Sequence, residues 1–330
     1  MKNVRDILQP IQSDFNRFQQ AFEQVFESDL PMLNEVLDYV HAKRGKQLRP
    51  QLVLLSAQMC RGVTDKTIRT AIALELLHTA SLIHDDVVDS SPIRRGSESV
   101  QEKWSNKVAI LVGDYMLAEV VSVINSIRNL RILNIVADMG AALSSGELIQ
   151  LHFGQAMWIT EEQYMQIIRH KTAQLFAACM EAGAESSGAT MRQSTALREF
   201  GMLLGICFQM KDDIFDFSDS DEIGKPTMND IRDGKVTLPL IVSLQRAPKE
   251  EAEHIRQVAE TLAQKAVETD ISEAEQEIKS FVMRYDGVGY VYRQMQTYRR
   301  QAEAVLSVFR SSPAKESLLD LLNYAINRSI

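Results

Sequence analysis

The chain has 330 residues, 45% of them hydrophobic and 24% charged, with a formal net charge of −8. That is enough apolar material for a large core, and the acidic balance excludes a general nucleic-acid surface, which needs a basic stripe. Three scattered cysteines, Cys60, Cys179 and Cys207, form neither a disulfide framework nor a Cys-x-x-Cys metal pair, so reduced buried thiols are expected. Residues Met1–Asp6 show no apolar h-region, and the expectation is a cytoplasmic protein without a secretory signal.

Helical periodicity dominates. Apolar residues at i, i+3 and i+4 predict helices over Leu48–Met59, Asp65–Asp89, Val108–Ser126, Asn129–Phe153 and Ser194–Phe217. Asp65 is the expected N-cap of the second, and Thr160 followed by Glu162 and Gln163 marks another helix start. Turn chemistry gathers at Arg61-Gly62, Ser90-Ser91-Pro92, Gly188 and Gly224-Lys225-Pro226. The longest apolar run, Val108–Ile124, is interrupted by Asp114 and Glu119 and reads as a core helix; no transmembrane segment is expected. With no linker or low-complexity tract, the reading is a single all-α domain over 1–330. Its motif-bearing core covers about 43–240, and peripheral helices cover 249–330.

Two acidic patterns carry the chemistry: Asp85-Asp86-Val87-Val88-Asp89 and Asp212-Asp213-Ile214-Phe215-Asp216. Carboxylates at i and i+4 share a helix face, with the i+1 carboxylate about 100° round. Unpaired carboxylates about 5 Å apart repel by roughly 3 kcal/mol at an effective dielectric of 20, so cations must compensate them. Oxygen-only ligands favour hard divalent ions, and Mg²⁺ usually completes its shell with water and substrate phosphate. The residues therefore predict a Mg²⁺-dependent diphosphate site between two helices. Cations stand near both patterns: Arg94-Arg95 after the first, Lys225 and Lys235 around Asp230 after the second, and Lys46 and Arg49 at the mouth of a helix. Arg offers phosphate a bidentate fork and Lys a point charge, while helix N-terminal amides favour anions.

Further short motifs lie in order along the chain: Gly45-Lys46-x-x-Arg49-Pro50, His78 through Asp89, Arg94-Arg95-Gly96, Gly113-Asp114-Tyr115 and Gly146-Glu147-x-x-Gln150. They continue with Lys171-Thr172-Ala173, Phe208-Gln209 before the second acidic pattern, Gly224-Lys225-Pro226 and Gly234-Lys235-x-Thr237-Leu238-Pro239. From Lys43 to Leu240 this ordered set resembles the trans-isoprenyl diphosphate synthases, particularly the bacterial long-chain, octaprenyl-type enzymes. A single Asp-Asp-x-x-Asp is a weak signal; the ordered set is very specific.

The resemblance implies a large helical bundle of the isoprenoid synthase type with a central active-site cavity. It implies Asp85, Asp86, Asp89, Asp212, Asp213 and Asp216 as ligands of three Mg²⁺ ions on an allylic diphosphate. Arg94, Lys171, Lys225 and Lys235 would hold that diphosphate, with Thr172 and Gln209 nearby, and Lys46, Arg49, His78 and Arg95 would hold isopentenyl diphosphate. A homodimer supplying a quinone side chain is implied as well. Met228 departs from the pattern, standing where the family often has Gly in Lys-Pro-x-Gly-x-Asp; the adjacent Asn229 tolerates φ > 0 and offers another closure of that loop. His84 is either a base or, more simply, a residue that orients Asp85.

Product length follows from the residues preceding Asp85. A growing chain running back along that helix meets Ser81 and Ala80, both small, and then Leu77 and Leu76. One turn is about 5.4 Å, on the order of one isoprene unit. Met139, Ile135 or Val121 on an opposing helix would form the floor, and the expected product has around seven to ten units. A shorter geranylgeranyl or farnesyl synthase, or a non-catalytic subunit of a heteromeric synthase, are the alternatives; the intact acidic patterns speak against the subunit. A class I terpene cyclase would place an Asn/Asp, Ser/Thr, Glu series at i, i+4 and i+8, whereas positions 212, 216 and 220 are Asp, Asp and Ser.

Overall fold

The computed structural model describes residues 4–26, 28–154, 157–218, 228–264 and 271–328. Among them are fourteen α-helices of eight residues or more. The first half contains α1 (Gln12–Glu23), α2 (Pro31–Ala42), α3 (Leu48–Cys60), α4 (Asp65–Val88), α5 (Asn106–Ile127), α6 (Leu130–Gly154) and α7 (Glu161–Ile168). The second contains α8 (Gln174–Ser186), α9 (Met191–Phe215), α10 (Leu238–Arg246), α11 (Lys249–Ala263), α12 (Ile271–Arg284), α13 (Gly287–Val305) and α14 (Pro313–Asn327). The sole sheet among the described residues is a two-stranded hairpin, Ile93–Arg94 with Ser97–Glu98.

The chain divides into two compact units. One gathers residues 1–141, 176–201 and 305–320, the other residues 142–175, 202–304 and 321–330. In the first unit α4 is buried nearly all round, with Ile68, Ala71, Ile72, Leu74, Leu76 and Ala80 all enclosed. Its N-cap is Thr64 rather than Asp65: the Thr64 hydroxyl accepts from the Thr67 amide while the Thr67 hydroxyl accepts from the Thr64 amide. This reciprocal capping satisfies two otherwise orphaned donors, which a carboxylate at Asp65 cannot do. The predicted start at Thr160 holds, with Thr160 and Gln163 forming the same kind of box.

Helix α5 buries one side, Ala109, Val112, Met116, Val120 and Ile124, and leaves Ile110, Leu111 and Val121 exposed. It and residues 130–153 of α6 are long and apolar enough to cross a membrane by length and composition, with about a third or less of each apolar window buried.

In the second unit α11 to α13 are not merely peripheral. Ala252, Ile255, Ala259 and Leu262, then Ile278, Phe281 and Val282, then Val291, Met295 and Ala302 are core residues. Each helix is polar overall yet keeps one apolar stripe at i, i+3, i+4 spacing, and that stripe is what packs. Gly287 lets α13 begin directly on α10, where a Cβ would lie 2.2 Å from the Pro239 carbonyl oxygen.

Candidate active site

In the first unit α4 ends at Val88, so Asp85 and Asp86 occupy its last turn and Asp89 is its C-cap. A helix C-terminus already carries partial negative charge, and three carboxylates there raise the demand for cations. Part of that demand is met by the hairpin. Arg95 and Gly96 adopt φ of 51° and 74°, the tight two-residue turn that matches strand twist, and this turn presents the flanking Arg94. The Arg94 Nε donates to Asp86 Oδ1 at 2.7 Å, and its Nη2 donates to the same oxygen. Burial still lifts the Asp86 carboxyl above its ordinary range, with Arg94 opposing.

Arg95 donates to the Lys43 carbonyl at 2.9 Å, and its guanidinium lies flat on Gly45, where a Cβ would stand 3.0 Å from Cζ. Lys46 is exposed just before α3, and Gln47 enters that helix with φ 48°. Arg49 has its Nε enclosed without a partner, as is Oε2 of the buried Glu75. Burial pushes His78 well below the usual imidazole range, with Arg49, Arg95 and Arg94 adding to the effect. Glu75, Thr79, Asp86, Arg94 and Arg95 line one cavity. The first unit therefore brings Arg49, His78 and Arg95 into one electrostatic neighbourhood together with Arg94, a cation the resemblance assigns to the allylic diphosphate, and Glu75 is a further acid there.

His84 turns away from this cavity. Its Nε2 lies 3.2 Å from the Ile110 carbonyl oxygen and 3.5 Å from Asp114 Oδ1, on α5. Gly113 makes room for the ring: a Cβ there would sit 2.2 Å from Nε2. Ala80 is fully buried, Leu77 approaches Gly140, and Met139 is buried. Val121 is 66% exposed, so within this unit it does not form a floor.

In the second unit Asp212 and Asp213 fall in the last turn of α9, and Asp216 follows it. Asp213 is buried; Tyr164 of α7 donates its hydroxyl to Oδ2, and Gln209 Nε2 donates to Oδ1 at 2.9 Å. Thr172 Oγ1 in turn donates to Gln209 Oε1 at 2.8 Å. Residues Arg169–Ala173 form a π-helical turn, a widening that often marks functional sites, and it carries Lys171 and Thr172. Lys171 Nζ is held by Glu147 at 2.8 Å and Gln150 at 2.9 Å. Gly146 permits this approach, since a Cβ would lie 3.2 Å from the Lys171 amide.

The carboxylate of Asp216 accepts the amides of Asn229 and Asp230, each at 3.0 Å. Met228, not Asn229, takes the left-handed conformation, with φ 63°. Its side chain is fully buried, and that burial offsets the roughly 1 kcal/mol cost of placing a Cβ in this region. Burial lifts the Asp213 carboxyl to about 8, Asp230 adding to the effect, and lifts Asp230 to about 7 together with Asp216. Lys171, Thr172, Gln209, Asp213, Asp230 and Lys235 line a cavity of about 230 Å³, with Phe153, Ile167 and Val236 as apolar wall. Lys225, with Gly224 and Pro226, lies outside the described residues. Tyr164, Asp230 and Glu147 join the expected residues here; only the Thr160 capping box hinted at the first.

Among the described residues no three acidic, His or Cys side chains already form a metal cage. The donors fit a divalent ion nonetheless. Mg²⁺ is commonly held by one or two carboxylates with water and substrate phosphate, and the buried acids lifted to about 7 and 8 stand beside further carboxylates, with Lys235 opposing the rise at Asp230. Helices that end on carboxylates with lysines and arginines alongside define a class of all-α proteins suited to metal-borne diphosphates.

The sequence profile described as "Polyprenyl synthetase" matches residues 30–278, and the chain belongs to that family. It is 29% identical to the octaprenyl diphosphate synthase of Haemophilus influenzae over 100% of this chain and 98% of the relative. It is 32% identical to the short chain isoprenyl diphosphate synthase of Methanothermobacter thermautotrophicus over 99% of each. The crystal structure of a polyprenyl synthase from Caulobacter crescentus CB15, complexed with calcium and isoprenyl diphosphate, superposes with a TM-score of 0.89 at 30% identity, covering 99% of this chain and 98% of the other. The protein is thus an enzyme with the isoprenoid synthase helical fold, a trans-prenyl diphosphate synthase acting on isoprenyl diphosphates.

Proposed function

We propose that the chain is an all-trans polyprenyl diphosphate synthase of the long-chain type, adding isopentenyl diphosphate to an allylic diphosphate to reach about seven to ten isoprene units. Its relatives include an octaprenyl and a short-chain enzyme at similar identity, so the length reading rests on this chain's own residues. The observation that carries it is the wall preceding Asp85: Ala80 is buried and small, Ser81 is small with its hydroxyl donating to the His78 carbonyl, and Leu77 lies beside Gly140, which carries no side chain. Met139 and Ile135 remain as floor residues.

Asp85, Asp86, Asp89, Asp212, Asp213 and Asp216 would hold Mg²⁺, three ions on this reading, which supplies Lewis-acid stabilisation of the leaving diphosphate. Arg94, Lys171, Lys225 and Lys235 bind the allylic diphosphate and stabilise the charge that grows as its C–O bond breaks. Lys46, Arg49, His78 and Arg95 hold isopentenyl diphosphate so that its double bond attacks the allylic carbon, a proximity effect. The new C–C bond forms, a proton leaves to the released diphosphate, and the alkene is restored. His84 orients Asp85 through its seat on α5. On the same proposal, residues 1–330 are a single all-α catalytic domain. Exposed Ile110, Leu111, Val121, Leu130 and Leu133 suit burial against a second copy, giving a cytoplasmic homodimer.

Mass analysis of the lipid made from farnesyl and isopentenyl diphosphates tests the reading. Products of seven to ten units support it, and a C20 end product refutes the length. Ala80→Phe should shorten the product; unchanged length would remove the wall argument. Sedimentation of the purified chain should give twice the monomer mass.

A further inference from the structure

Helix α12 holds the chain at two points beyond the second acidic pattern. Glu275 and Lys279 stand at i and i+4, on one face of that helix. Glu275 Oε1 accepts from Arg232 Nε at 2.7 Å and from Arg232 Nη2. Lys279 Nζ donates to the Ser218 carbonyl at 3.0 Å. Ser218 lies just beyond Asp216, and Arg232 closes the helical turn Asn229–Arg232. The Asn229 and Asp230 amides of that turn are the donors to the Asp216 carboxylate, and the Asp216 carbonyl accepts the Met228 amide at 3.2 Å. Burial lifts the Asp216 carboxyl, with the Asp230, Asn229 and Met228 amides and then the Lys279 charge opposing.

The turn that serves Asp216 needs outside support. A lone helical turn is unstable by itself, since nucleation fixes several residues for one hydrogen bond. Its first residue also follows Met228 in the left-handed region, which residues with a Cβ avoid. The buried Met228 side chain holds the start of the turn, and Glu275 holds its end. Helix α12 is itself anchored, because Ile278, Phe281 and Val282 are all buried. The Glu275 side chain is 18% exposed and takes two donors of one guanidinium, so this pair is shielded where a surface ion pair is not.

We propose that Glu275 and Lys279 are positioning residues of the active site: through Arg232 and Ser218 they set where the Asp216 carboxylate meets its metal ion. The inference rests on the reading of Asp216 as a metal ligand. Mg²⁺ demands near-ideal octahedral geometry, so a displaced carboxylate loses affinity even when it stays charged. Groups that orient a ligand from behind typically contribute about 10–100-fold to metal affinity. Helix α12 touches no diphosphate on this reading; it acts only through the two backbone segments that it holds.

The test is Mn²⁺ binding to the full chain with saturating inorganic diphosphate, followed by electron paramagnetic resonance. Glu275→Ala and Arg232→Ala should each weaken Mn²⁺ binding about tenfold, and the double variant should be no weaker than either. Glu275→Gln, which keeps an acceptor in place, should stay within about threefold of the parent. Lys279→Met should act in the same direction as Glu275→Ala. In an Asp216→Asn background Glu275→Ala should have no further effect. Rates of isopentenyl diphosphate incorporation should show a raised Mg²⁺ midpoint in Glu275→Ala, with kcat recovered at saturating Mg²⁺. Thermal melts confirm that each variant is folded. Arg232→Lys, a milder change that loses the two-donor contact, should fall between and serves where an alanine variant does not fold. Mn²⁺ affinity unchanged within about twofold in Glu275→Ala, an equal loss in the Asp216→Asn background, or a lower kcat with an unmoved Mg²⁺ midpoint would each overturn the inference. Absence of Mn²⁺ binding by the parent would instead remove the metal-ligand reading of the aspartates, and this inference with it.

Discussion

Replacing Tyr164 with phenylalanine deletes one oxygen from a buried network and leaves the ring packing intact. The lost hydroxyl donates to Asp213 Oδ2, while Gln209 continues to serve Oδ1. Burial already lifts Asp213 to about 8 in the metal-free protein, and the Tyr164 hydrogen bond is one of the contacts that hold it down. A hydrogen bond to a charged acceptor contributes about 1.5–3 kcal/mol, and one pH unit corresponds to about 1.4 kcal/mol. The carboxyl should therefore rise by about 1–2 units in Tyr164→Phe. At pH 8 its ionised share would fall from about one half to about one tenth or less, and the apparent Mg²⁺ requirement should grow about fivefold or more. Initial rates of isopentenyl diphosphate incorporation, measured across pH 6.5–9.5 and a Mg²⁺ titration, read this directly. The account expects an acid limb displaced to higher pH and activity restored in alkali or at high Mg²⁺. A uniform loss at every pH with an unchanged Mg²⁺ midpoint would show that Tyr164 only packs.

Other consequences follow from the same geometry. Because the Asp213 pKa is raised from 3.8 to about 8 by burial, the native metal-free chain holds a proton that the unfolded chain releases above about pH 4. Stability contributed by this group is present at low pH and lost as pH rises towards 8, so metal-free melting temperature should fall across that window and Asp213→Asn should flatten the fall. Gly113→Ala drives a methyl into His84 and should cost about 1–3 kcal/mol, seen as a lower melting temperature together with weaker metal binding at the first acidic pattern. Gly287→Ala meets the Pro239 carbonyl and should destabilise by a similar amount while product length stays the same, separating scaffold from site.

Where local chemistry decides structure, the sequence was a good guide. The apolar spacing of α4 and α9 put both acidic patterns at helix ends, and Thr160 with Gln163 announced α7. The start of α4 was misplaced by one residue because a reciprocal pair of threonines outcompetes a nearby aspartate. Chain composition hid the core role of α11 to α13, whose narrow apolar stripes are diluted by charge. The π-helical turn at Arg169–Ala173 leaves no mark on periodicity, and Met228 in the left-handed region runs against its intrinsic preference because its side chain is buried. Contacts such as Arg328 with Asp212, 116 residues apart, depend on the tertiary path and have no local signature.

The central claim is that both acidic patterns serve one diphosphate, and binding of inorganic diphosphate with Mn²⁺ tests it most directly. Titration calorimetry on the parent chain, Asp85→Asn, Asp212→Asn and the double variant should show binding in the parent alone. Either single change should cost nearly as much as both together, because the ions share a common ligand. Losses that simply add, or full diphosphate affinity retained after one pattern is neutralised, would contradict the account.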